Sequence, residues 1–101
     1  MVRSFGASRY GTPFDRSVVE AVWQNGRIAQ GFNPAKWRRD ACGALISRAV
    51  HGDTESDFGW EIDHVVAVTK GGSDGLANLQ PLQWRNNRAK SDGPLECVVR
   101  V

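Results

Sequence analysis

The chain has 101 residues, 41% of them hydrophobic and 24% charged. That length suits one domain and not two, and that balance excludes a disordered chain. The longest uninterrupted apolar run, Val65-Val66-Ala67-Val68, is far short of a membrane span, and the amino terminus lacks the apolar stretch of a standard export signal. The expected setting is therefore soluble and cytoplasmic, with no membrane partner.

The formal net charge of +2 conceals a pattern. Residues 1–40 carry seven Lys/Arg against three Asp/Glu, residues 41–83 two against six, and residues 84–101 four against two. An acidic middle between basic ends suits a cation site beside phosphate-attracting surface. Charges merely spread over a solvated exterior give the same counts.

In chain order, residues 1–12 are rich in glycine and serine and read as a loose arm. Thr12 then offers a cap and Pro13 a first helical position, and Phe14, Val18, Ala21 and Val22 recur at helical spacing until Asn25-Gly26. Asn33-Pro34 offers a second, short helix that ends near Cys42-Gly43. Residues 44–50 suit a strand and residues 60–68 another, the two reading as a hairpin with a long loop. A glycine-rich connection at 69–75 leads to a short apolar-spaced segment at 76–82. Residues 84–91 read as a polar helix stopped by Gly93-Pro94, and residues 95–101 as a closing edge strand.

Cys42 and Cys97 are too few for a disulfide framework and, without an export signal, read as two reduced, buried thiols. No structural zinc is expected. Trp23, Trp37, Trp60 and Trp84 read as core rather than as base-stacking platforms, and His51 as a turn residue. Arg38 and Arg39 are the best phosphate contacts outside the stretch that carries chemistry, set against a solvated helix face.

That stretch is 59–92. Asp63 and His64 are neighbours on a strand-like run, and an ideal strand sends neighbours to opposite faces. Both can serve one site only where the strand ends or bends. Asn87 and Lys90 share a face of the predicted helix; Asn86 competes with Asn87 for the same role, and the spacing to Lys90 favours Asn87. A carboxylate and an amide oxygen are hard ligands suited to Mg²⁺ or Mn²⁺. An imidazole left free of the metal can take a proton from an attacking water, and a cation can stabilise a phosphoryl group under attack.

Four elements stand in order: Asp63-His64, Gly71-Gly72-Ser73-Asp74, Asn78-Leu79-Gln80 and Asn87-Arg88-Ala89-Lys90. Fourteen residues separate His64 from Asn78, nine separate Asn78 from Asn87, and three separate Asn87 from Lys90. This stretch resembles the HNH endonucleases, whose core is a strand–loop–strand hairpin followed by a helix, the ββα-metal motif. Residues 37–43 are also similar, more loosely, to small stand-alone bacterial members of that family.

The resemblance implies an α+β fold in which N-terminal helices pack on a ββα-metal unit, as one domain over 13–101 with its core at about 59–92. It implies a metal-dependent endonuclease that hydrolyses phosphodiesters in DNA and leaves 5′-phosphate and 3′-hydroxyl ends. His64 would be the general base, and Asp63 and Asn87 would hold one divalent cation. Asn78 would pin the loop that fixes His64. Lys90 would face the scissile phosphate, with Arg88 beside it. The chain departs from many members in lacking two Cys-x-x-Cys zinc pairs, so packing must hold the motif. Some nuclease toxins of the family have histidines where Asn87 and Ser91 stand here, which implies fewer protein ligands and weaker metal binding. Beyond DNA, the partners it implies are an inhibitor or immunity protein, or a larger complex. The rival readings are a nucleic-acid-binding module with a degenerate, inactive motif and a structural protein that kept only the fold.

Overall fold

The computed structural model describes residues 5–101. Its first helix, α1 (Arg16–Trp23), begins after Asp15 rather than at Pro13. The apolar period turns Val19, Val22 and Trp23 inward, and the N–H groups of Asn25 and Gly26 close the helix on the carbonyls of Val22 and Trp23.

A three-stranded antiparallel sheet follows in the order β1 (Arg27–Ile28), β2 (Trp37–Arg39) and β3 (Leu45–Ser47). The helix expected over residues 33–42 is thus a turn and a strand. Asn33 does cap: its side chain accepts from the Ala35 N–H, and its carbonyl accepts from Lys36 and Trp37. Pairing of Trp37 with Ser47 then draws the chain into the ladder after a single turn, so long-range pairing overrides the local helix signal. β3 pairs with β2 and not with the strand after it, and the chain leaves β3 in a 3₁₀ turn at Arg48–Val50.

The second sheet has two antiparallel strands, β4 (Trp60–His64) and β5 (Leu79–Gln83), with Asp63 opposite Gln80 and His64 opposite Leu79. Helix α2 (Trp84–Lys90) follows at once and packs on both strands. The Gln83 side chain accepts from the N–H groups of Arg85 and Asn86 and so caps α2. The connection between β4 and β5 holds two 3₁₀ turns, Val68–Lys70 and Leu76–Asn78. Gly71 has φ +88°, and a Cβ on Gly72 would lie 1.7 Å from the Val66 carbonyl oxygen, so this loop requires both glycines.

The architecture is α+β. The core lies between α1 and the sheets and contains Val19, Val22, Trp23, Ile46, Trp60, Ile62 and Leu79. Burial of each large apolar side chain contributes about 1.5–3 kcal/mol. Trp23 and Trp60 meet at 5.2 Å between ring centroids, and their indole N–H groups donate to the carbonyls of Pro34 and Ser47. Trp37 and Trp84 are half-buried; Trp37 packs edge-on against Phe58 at 5.2 Å. Among the described residues no helix is long and apolar enough to cross a membrane.

One buried side chain joins the two sheets. Asp40, at the end of β2, accepts from the N–H groups of Cys42 and Ala44 through one oxygen. Through the other it accepts from the Gln83 N–H and the Asn86 amide. Asn86 in turn accepts from the N–H groups of Val98 and Val99. Residues 95–101 therefore form no strand. They run back beside the β2–β3 turn and bring Cys97 to Cys42, with Cα atoms 5.4 Å apart, in a disulfide. The expectation of two reduced thiols is corrected here. A count of cysteines carries no information about the return of the tail.

Of the expected loose arm, residues 1–4 lie outside the described residues, and residues 5–12 are pinned. The Ser8 and Thr12 hydroxyls bond each other at 2.7 Å, and the Arg9 N–H donates to both oxygens of Asp74 at 2.9 and 3.2 Å. Phe5 lies 4.4 Å from the Arg88 guanidinium, and Gly6 rests against Glu61.

Candidate active site

Strand alternation divides β4 between two neighbourhoods. Trp60 and Ile62 join the core, whereas Glu61 and Asp63 face α2. On α2, Asn87 and Lys90 are one turn apart and meet those two carboxylates. The Asn87 amide donates to Glu61 Oε1 at 2.9 Å, and Lys90 Nζ stands 3.2 Å from Asp63 Oδ1. Arg88 completes the rectangle with a 2.8 Å contact to Glu61 Oε2, which raises the pKa of its guanidinium.

Two oxygens in this interface have no hydrogen-bond partner. They are Asp63 Oδ1 and Asn87 Oδ1, and among the described residues no other buried side-chain nitrogen or oxygen is left so. The Glu61 carboxylate requires the Asn87 NH₂ to face it, which turns Oδ1 the other way. At Asp63, Gln80 donates to Oδ2 at 2.9 Å, while the Lys90 ammonium near Oδ1 spends its well-aligned hydrogen bond on the His64 carbonyl, also at 2.9 Å. Burial pushes the Asp63 carboxyl above its ordinary pKa, opposed by Gln80 and by the charge of Lys90. A carboxylate and an amide oxygen left without a hydrogen bond are of the donor type a hard cation takes, so the two atoms fit the expected ligands in kind. The set is small: among the described residues no group of three His, Cys, Asp or Glu is arranged to hold a metal.

His64 ends β4, and its ring lies 6.1 Å from that of Phe14, on the core side. Asp63 and His64 therefore diverge as ideal strand neighbours do. His64 Nε2 is 2.8 Å from Asp74 Oδ1. Donation from Nε2 to that carboxylate leaves the lone pair of the neutral ring on Nδ1. Asn78 ties the loop together: its oxygen accepts from the Val66 N–H, and its NH₂ donates to the carbonyls of Val66 and Ser73. These bonds hold both the exit from β4 and the segment that carries Asp74.

Two of the four expected phosphate contacts, Lys90 and Arg38, are buried and engaged elsewhere. Lys90 is 5% exposed and serves as counter-charge to Asp63, because its helix face is the buried one. Arg38 is 8% exposed and donates to the carbonyls of Pro34, Gln24 and Gly26 and to the Gln24 side chain. It points inward because residue 38 lies on a strand rather than on a solvated helix face. Arg39 points the other way and donates to the Gly43 carbonyl, and Arg88 is half-exposed beside Glu61. Asp63, His64 and Asn87 are 1%, 4% and 0% exposed, so the interface is closed to solvent.

The sequence reading gave no role to Glu61, Gln80 or Asp74. Glu61 was findable, since it precedes Asp63 by one strand period. Gln80 and Asp74 become visible only with register and loop path. The chain matches no family model, and the comparisons with curated proteins and with solved structures found no match.

Proposed function

We propose that this chain is a metal-dependent DNA endonuclease of the HNH type, leaving 5′-phosphate and 3′-hydroxyl ends. One observation carries the reading: the two buried side-chain oxygens without a hydrogen bond belong to Asp63, where only the Lys90 ammonium stands near, and to Asn87, the pair that the resemblance assigns to the cation. These two residues would hold Mg²⁺ or Mn²⁺, whose charge stabilises the phosphoryl and departing oxygens. His64 takes the proton of the attacking water through Nδ1. Asp74 accepts from Nε2, selects the useful tautomer and fixes the ring. Asn78 holds the loop that carries Asp74. Arg88 presents its exposed edge to phosphate, and Lys90 neutralises Asp63 in the absence of the cation. The Cys42–Cys97 bridge draws the setting away from a reducing cytoplasm, since disulfides persist in oxidising compartments.

A second reading, a nucleic-acid-binding module without activity, is favoured by closure of the site, by the divergence of Asp63 and His64 to opposite sides of β4, and by the ammonium group 3.2 Å from Asp63 Oδ1. Nicking of supercoiled plasmid with Mg²⁺ or Mn²⁺ separates the two. Wild type should nick, and His64→Ala should lose about 10²–10⁴-fold in rate. Duplex binding without nicking under any divalent cation would establish the binding module instead. A His64→Ala variant that cuts within about threefold of wild type would remove the base from the scheme.

A further inference from the structure

Arg27 and Arg39 stand directly opposite each other across the β1–β2 ladder, so their side chains leave the same face of the sheet. Like charges at one register pair destabilise a sheet. Other arginines are already compensated: Arg48 pairs with Glu20, Arg85 with Asp57 and Arg88 with Glu61, while Arg38 is spent on carbonyls. Among the described residues neither Arg27 nor Arg39 has a carboxylate partner, and Arg39 spends a single N–H on the Gly43 carbonyl, at 3.0 Å.

Both arginines line a cleft of about 110 Å³ whose remaining walls include Asn25, Gly26, Asp40 and Gln80. That space, open on one side, has room for a group of a few heavy atoms such as a tetrahedral phosphate. The one carboxylate in the wall, Asp40, is 1% exposed and already accepts from four N–H donors. The guanidinium groups therefore set the sign of the cleft. Gln80 joins it to the candidate site, since the same amide donates to Asp63 Oδ2.

We propose that this cleft binds phosphate, held by Arg27 and Arg39, and that its source is the backbone of a nucleic-acid strand running on towards Asp63. The nucleic-acid source rests on the nuclease reading; the phosphate chemistry does not.

The test uses the full chain without divalent cation, so cleavage plays no part. Inorganic phosphate is titrated while amide shifts are followed by NMR, and a short duplex is titrated by fluorescence anisotropy at several salt concentrations. Phosphate should move the amides of Gly26, Arg27, Ala41 and Gln80. Arg27→Ala and Arg39→Ala should each weaken both affinities about tenfold or more and flatten the salt dependence of duplex binding by about one phosphate. Arg85→Ala, exposed and paired with Asp57, is the control and should change neither. Arg27 lies on an edge strand and is exposed, so its removal spares the core, and Arg39→Lys keeps the charge if Arg39→Ala folds poorly. Loss of phosphate binding with duplex affinity intact would assign the cleft to free phosphate and overturn the nucleic-acid source. Unchanged affinities for both probes in both Ala variants would overturn the site. Plasmid nicking is scored separately: normal nicking with unaffected binding removes the cleft alone, and absent nicking with cleft-dependent binding removes the nuclease reading alone.

Discussion

Replacing Lys90 by Met removes one half of a buried ion pair while keeping most of the side-chain volume. The side chains of Lys90 and Asp63 are 4% and 0% exposed, with Nζ and Oδ1 3.2 Å apart. Loss of one partner from a buried pair costs about 3–5 kcal/mol, because the other charge is left without compensation. For a domain this size each kcal/mol lowers Tm by about 4–8 °C, so Lys90→Met should melt roughly 12–40 °C below wild type. Thermal unfolding followed by circular dichroism at neutral pH measures it. Adding Asp63→Asn to Lys90→Met should recover much of the loss, since neither member then carries charge. Mn²⁺ should raise the Tm of Lys90→Met more than that of wild type, because the cation no longer competes with an ammonium for Asp63. A ligand at a hundred times its Kd contributes about 2.7 kcal/mol. If Lys90→Met melts within about 1 kcal/mol of wild type, Asp63 carries no compensated charge and the ion-pair argument fails. If the pair is sensitive but Mn²⁺ stabilises neither protein, the cation assignment fails alone.

Ser91 ends α2 at φ 49° and ψ −124°, a conformation strained for any side chain, so Ser91→Gly should stabilise by about 1 kcal/mol after the entropy of glycine is counted; a lower Tm would refute this. The Cys42–Cys97 bridge spans 55 residues of sequence, for which loop entropy gives about 4 kcal/mol. Cys97→Ser should therefore melt well below the oxidised wild type and match wild type kept in reductant, and equal Tm values with and without reductant would count against the bridge. Partial desolvation of the otherwise exposed His51 ring against Trp60, and then the charge of Arg48, hold its pKa below the ordinary 6.5, opposed by Glu61. Between that lowered value and 6.5 the unfolded chain binds the extra proton, so this stability is complete above about pH 6.5 and is lost as pH falls through the folded value. Denaturant titrations across that range should show a shallower acid-side decline in His51→Gln, and an unchanged decline would place the proton elsewhere.

How far the sequence could be read depended on the range over which each decision is made. α1, β4 and α2 were legible because their signals are local: an apolar helical period, a β-rich run, and a polar segment stopped by Gly93-Pro94, whereas β5 was only a short apolar-spaced segment that the resemblance made a strand. The segment 33–42 was misread because Asn33-Pro34 is a true cap, and what overrides it is pairing with β3, ten residues on. The partner of β3 was missed for the same reason: neighbours in sequence suggested β4, whereas β2 holds the ladder. At the site, the helical period put Asn87 and Lys90 on one face, and the resemblance set Asp63 beside Asn87. Lys90 was still expected to face the scissile phosphate, since periodicity gives a shared face without saying which face is buried. The hydrogen bond from His64 to Asp74 depends on how the 65–78 loop folds back, and nothing in the sequence declares that.

The four hydrogen bonds that converge on Asp40 carry a consequence for how the molecule breathes. The amides of Cys42 and Ala44 lie in the turn between β2 and β3 and that of Gln83 in β5, yet all three share one acceptor side chain. None can be released by fraying of its own segment alone while that carboxylate stays in place. Their protons should therefore exchange with solvent at one common rate, set by a single opening that swings the β2–β3 turn away from the start of α2. The Val98 and Val99 amides hang on the same knot through Asn86 and should follow that rhythm, although they sit in a tail with no regular structure. A chain with two small sheets would in this way keep one clock.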